Sequence, residues 1–136
     1  MNRLASVVLL LLAACSHPYF FATGAKTVST PDIAFTCVQA QLDSLGYARL
    51  RHDDMERWFV GRKEDPKVHM SSTTFRKAFN ILDVRVHPDA SGQAAIEIKA
   101  QSIHQYNLQR GLTEEEVAAS AEVKADAGHL AQACTQ

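Results

Sequence analysis

Leu82-Asp83-Val84-Arg85-Val86-His87 and Ile96-Glu97-Ile98-Lys99-Ala100-Gln101 decide the fold of this chain. In both segments apolar residues alternate with polar ones, the period of a strand with one buried face. Pro88-Asp89-Ala90-Ser91-Gly92 lies between them and supplies turn chemistry, so the two segments predict an antiparallel hairpin. An isolated hairpin cannot bury its apolar face, so the flanking sequence must supply the cover.

Upstream, Thr30-Pro31-Asp32 is a helix start: a hydroxyl N-cap, a proline where its missing N–H does no harm, then a carboxylate favoured by the helix dipole. Ala34, Val38, Leu42 and Leu45 recur at helical spacing, Phe35 widens the stripe, and Gly46 supplies a left-handed stop. The spacing predicts a helix from Pro31 to about Leu45, with Cys37 at the edge of its apolar stripe. Tyr47 to His52 and Arg57 to Lys63 then form a second expected hairpin around Asp53-Asp54-Met55-Glu56, with Trp58 and Val60 on one face and Phe59 on the other. Lys63 to Lys77 has no clean period and is expected to be a loop.

Downstream, Thr113-Glu114-Glu115-Glu116 has the pattern of a capping box and is expected to open the last helix. Val123, Ala127, Leu130, Ala131 and Cys134 share one face of that helix. The expectation is an α+β domain over residues 30–136: a helix, a four-stranded antiparallel sheet of two hairpins, and a helix, with both helices on one sheet face.

The first fifteen residues have a different character. Arg3 precedes the apolar run Leu4 to Leu12, which is too short to span a bilayer, and Leu12-Ala13-Ala14-Cys15 follows. This motif resembles the lipobox of bacterial lipoproteins. The resemblance implies a signal peptide over residues 1–14, cleavage before Cys15, and lipidation of Cys15 as a membrane anchor in the cell envelope. Ser16 in place of an acidic residue after the anchor points to the outer membrane, facing the periplasm, in a host with two membranes. Residues 15–29, with Pro18, Gly24 and many small side chains, are expected to form the lipidated tether. The rest of the chain resembles small exported α+β lipoprotein domains of uncharacterised function, a likeness of topology that brings no catalytic motif.

Of the three cysteines, assigning Cys15 to lipid leaves Cys37 and Cys134 as an even pair in an oxidising compartment. A disulfide between them is the expectation, with two free buried thiols or a redox pair as the rival readings. The wide separation and the lack of a Cys-x-x-Cys weigh against redox chemistry.

Composition narrows the partner classes. The chain has 14 basic and 15 acidic residues; removing residues 1–14 takes away only Arg3, leaving 13 against 15. Such a balance gives no basis for a nucleic-acid partner. Beyond the leader, no apolar stretch approaches the length of a spanning helix.

Candidate chemistry is sparse. The six histidines form no His-x-x-x-His set, and the best metal-like group is His52, Asp53, Asp54 and Glu56 at the expected hairpin tip. A solvated turn needs those residues for no chemical reason, so neither metal nor cofactor is expected. His87 and His104 sit at or near the last two expected strands. Ser71, Ser72 and Ser91 lie in turn-like contexts without a Gly-x-Ser-x-Gly elbow. Basic residues from Arg49 to Arg85 are interspersed with acids as on a mixed solvated surface, but Trp58 beside Arg57 and Arg62 would anchor a partner if it faced outward. The expectation is an envelope-anchored, non-enzymatic binding or scaffolding domain whose partner is an envelope protein, lipid or glycan. A small metal-dependent or hydrolytic envelope enzyme is the alternative.

Overall fold

The computed structural model describes residues 19–135; the leader, the lipobox and Cys15 lie outside them. Their order is β1 (Phe21–Thr27), α1 (Pro31–Ser44), β2 (Ala48–Asp53), β3 (Trp58–Glu64), β4 (Phe75–Pro88), β5 (Ala94–Leu108), β6 (Gly111–Val117) and α2 (Ala121–Ala133). The α+β class and the antiparallel sheet follow the sequence, and Cys37 and Cys134 form a disulfide. The sheet has six strands rather than four.

Strand order is β1-β5-β4-β3-β2, with β6 also paired to β5. β4 and β5 pair along nearly their whole length, from Phe75↔Tyr106 to Pro88↔Ala94. On its other edge β5 is shared: β1 pairs with Ala94 to Ala100, and β6 pairs with Ser102 to Leu108. Both unexpected strands therefore occupy the same edge. Phe21 to Thr27, expected within the tether, is a sheet strand. Gly111 to Val117 is an edge strand too, so Thr113 opens no helix; α2 begins after Ser120, whose hydroxyl accepts from the N–H of Val123.

Alternation assigns the faces. Leu82, Val84 and Val86 on β4, Ile96, Ile98 and Ala100 on β5, and Phe59 on β3 point to one side and are buried. There they meet Ala34, Phe35, Val38 and Leu42 of α1 and Val123, Ala127 and Leu130 of α2 in one cluster. Each Val, Leu, Ile or Phe among them taken fully out of water contributes about 1.5–3 kcal/mol before entropy is counted. Both helices thus cover one face, tied by Cys37–Cys134. Gly46, at φ 84°, turns the chain from α1 into the sheet, with the Tyr47 N–H donating to the Leu42 carbonyl.

Candidate functional site

The sheet face opposite the helices carries Trp58, Val60 and Arg62 from β3, and Phe79, Ile81, Asp83 and Arg85 from β4. Register sets Trp58 against Arg85, Val60 against Asp83 and Arg62 against Ile81. On β5, Glu97 lies opposite Arg85 and Lys99 opposite Asp83, so neighbouring strands place opposite charges side by side.

Three cations stack on aromatic rings across this face. The Arg85 guanidinium is 4.9 Å from the Trp58 ring centre, that of Arg62 is 3.7 Å from Phe79, and the Lys99 ammonium is 4.6 Å from Phe20. Each contact is worth about 0.5–1 kcal/mol at a partly solvated site. Trp58 Nε1 also donates to Asp83 Oδ1 at 2.7 Å, and Arg62 is bridged to Glu114 of β6. The side chains are thus held in place by one another. Val60 is buried although it faces away from both helices; Trp58 and Arg62 flank it on its own strand. Near β1 the face sinks into a groove of about 570 Å³ lined by Phe20, Ala22, Asp83, Arg85, Glu97 and Lys99.

The residues singled out in the sequence are dispersed. Trp58 and Arg62 share the open face. Arg57 sits in the β2–β3 turn at φ 48° and sends its Nε to Asp32 of α1, 2.7 Å away. At the same turn His52 Nε2 lies 3.2 Å from Asp54 Oδ1, which also accepts from Gln39 Nε2. Asp53 Oδ1 accepts the N–H groups of Met55 and Glu56, as a turn-closing aspartate does. Among the described residues no group of three or more His, Cys, Asp or Glu side chains is arranged to hold a metal ion. His87 lies 3.8 Å from Glu97, while His104 packs edge-on against Phe75 at the other end of β4–β5.

Phe79, Asp83, Lys99 and Phe20 were not legible as parts of a face. The signal was parity: Trp58 and Arg85 share a side once β3 and β4 pair, but register cannot be read from either strand alone.

A second polar cluster lies on the helix side. Lys63 Nζ is 2.7 Å from Asp126 and 3.1 Å from Glu122, and the Tyr47 hydroxyl donates to the same Asp126 oxygen. Burial, then the hydrogen bond to Asp126, raises the Tyr47 pKa. Burial opposes the Lys63 ammonium, but its bonds to Asp126 and Glu122 outweigh that and raise its pKa. Hydrogen bonds from Lys67 and Lys63 lower that of Glu122. Each member has a partner in the cluster, and the arrangement fastens α2 to the sheet.

Fold and face together define a disulfide-closed α+β domain with helices on one side of an antiparallel sheet and an ordered, charge-balanced surface on the other. No protein-family model matches the chain, and no curated protein matches it. None of the described helices is long and apolar enough to cross a membrane.

Proposed function

We propose that this chain is a cell-envelope lipoprotein, anchored through Cys15, whose folded part is a non-enzymatic binding domain that receives an envelope protein on its open sheet face. The observation that carries the reading is the row of cation–aromatic pairs, Arg85 on Trp58, Arg62 on Phe79 and Lys99 on Phe20, on the face left bare by both helices. Trp and Arg are the residues over-represented at interface hot spots, and side chains ordered in advance lose less entropy on binding. Alternating charge on β4 and β5 favours a partner of mixed charge over a polyanion.

The lipidated Cys15 rests on the Leu12-Ala13-Ala14-Cys15 motif, and the disulfide fits an oxidising envelope compartment. The test is a photo-crosslinking amino acid placed at Arg85 in the native envelope, with Lys124 on the exposed side of α2 as control. A discrete protein adduct from position 85 and none from position 124 supports the reading. Equal labelling from both, or adducts with lipid or glycan alone, counts against a protein partner on this face. Intact mass of the extracted protein tests the anchor, since a lipid increment on Cys15 is required.

A further inference from the structure

We propose that the β5–β6 hairpin tip, Leu108 to Leu112, docks on the bilayer surface that holds the Cys15 anchor; the inference rests on the anchored reading above. Hairpin turns are ordinarily polar, yet this one carries Leu108 at 48 % exposure and Leu112 at 66 %, with Arg110 between them. Their register, Leu108 opposite Gly111 and Leu112 opposite Asn107, places them at the extreme end of the sheet. Just behind, Tyr106 contacts Phe75 and its hydroxyl donates to the sulfur of Met70, itself 44 % exposed. An apolar end with aromatics one step back and an arginine at the turn has the composition of a membrane-interface contact.

Chain connectivity names the occupant. The Tyr19 carbonyl accepts from the Ala119 N–H, which fixes the start of the described chain beside the end of β6, near the level of Ser102. Cys15 is four residues earlier, so the anchor lies within about 14 Å of Tyr19. Ser102 to Leu108 spans six residues of strand, about 20 Å. A plane that passes within 14 Å of Tyr19 also meets the tip when the hairpin inclines by about 45° or more from the membrane normal. Tyr19, the first described residue after the anchor, is 62 % exposed. Of the β6 glutamates, Glu114 is bridged to Arg62, whereas Glu115 is exposed and Glu116 half-buried, so a zwitterionic surface fits better than an anionic one. The anchor supplies the high local concentration that makes so small a contact effective.

The test uses acylated full chain extracted from membranes and reconstituted in vesicles of phosphatidylethanolamine and phosphatidylcholine, with or without brominated acyl chains. Trp58 is the one tryptophan, so the unaltered protein gives the baseline. Leu112→Trp adds a reporter at the tip, and Ser91→Trp adds one in the β4–β5 turn at the opposite end of the sheet. In brominated vesicles the added emission of Leu112→Trp should fall by about half, because an interfacial side chain sits about 5–10 Å deep, within reach of the bromines. That of Ser91→Trp should be unchanged. Equal quenching of the two variants, or quenching confined to Trp58, overturns the docking. Missing acyl mass on Cys15 instead overturns the anchor and the docking with it, so the two failures are told apart by mass before fluorescence is read.

Discussion

Lys63 and Asp126 join the sheet to the last helix: Nζ of one lies 2.7 Å from Oδ2 of the other, on the same oxygen that accepts the Tyr47 hydroxyl at 2.8 Å. One carboxylate therefore satisfies a partly buried ammonium and a buried phenol. Asp126→Ala would leave the Tyr47 hydroxyl without this acceptor and Lys63 dependent on Glu122. An orphaned buried donor costs about 1–3 kcal/mol, and the urea midpoint should fall accordingly. A change within a few tenths of a kcal/mol would mean that water replaces the carboxylate at no cost.

The same cluster shapes the response to pH. Tyr47 and Lys63 have raised pKa values in the folded chain, so their contribution is complete below their ordinary values of 10.0 and 10.5 and is lost as pH rises beyond them. Glu122 is lowered, so its contribution is present above its ordinary value of 4.5 and is lost as pH falls below it. Urea midpoints measured across pH should form a plateau that declines on both sides, and Asp126→Ala should flatten the alkaline decline. An unchanged alkaline limb in that variant would sink this account.

Gly61 sits on the helix side of β3, where a Cβ would meet the Cβ of Tyr47 at 2.8 Å and Phe59 Cε1 at 3.2 Å. Neither is the far end of a flexible chain, so Gly61→Ala should force β3 and Tyr47 apart. Overpacking of this kind costs about 1–3 kcal/mol. Thermal unfolding of the variant beside the unaltered protein checks it, and equal midpoints would show that the strand gives way freely.

The elements that read clearly in the sequence are those that bury a face. Leu82, Val84 and Val86 alternate cleanly because β4 is central and covered on one side, and α1 shows its Ala34, Val38 and Leu42 stripe for the same reason. β1 and β6 flank β5 on its outer edge and bury little. Gly111 to Val117 is largely exposed, and its Thr113 and Glu116 mimic a capping box while pairing with Tyr106 and Ile103. β1 alternates small residues, whose pattern is that of a linker. Which arginine lies over which ring on the open face depends on the register between β3 and β4, and neither segment alone carries that information.

The true start of α2 depends on Ser120. Its hydroxyl accepts from the Val123 N–H and donates to Asn80 Oδ1, while its own N–H donates to Ser102 Oγ. Ser120→Ala removes the cap and one of the two hydroxyls on the buried Asn80 carbonyl, so its cost should be at the upper end of the about 0.5–2 kcal/mol usual for N-caps. Thr30→Ala removes a longer, exposed bond to Ile33, 3.4 Å, and should cost less. Chemical denaturation of both variants tests the order, and the reverse ranking would count against the Asn80 contact.

The Cys37–Cys134 bridge closes a loop of sequence separation 97 that contains β2 to β6, most of α1 and all of α2, but leaves β1 outside. In the chain-entropy model such a loop stabilises the fold by about 4–5 kcal/mol, chiefly by restricting the unfolded chain. The Cys37→Ser, Cys134→Ser variant should therefore unfold at much lower urea, and reduction of the unaltered protein should reproduce most of the loss. β1 behaves differently. It pairs with β5 and packs against α2 but lies outside the covalent loop, so it can detach without opening the bridge. Hydrogen exchange should find Phe21 to Thr27 less protected than Ile96 to Ala100, with the gap persisting under oxidising conditions. Equal protection of the two strands would mean that β1 unfolds only with the whole domain.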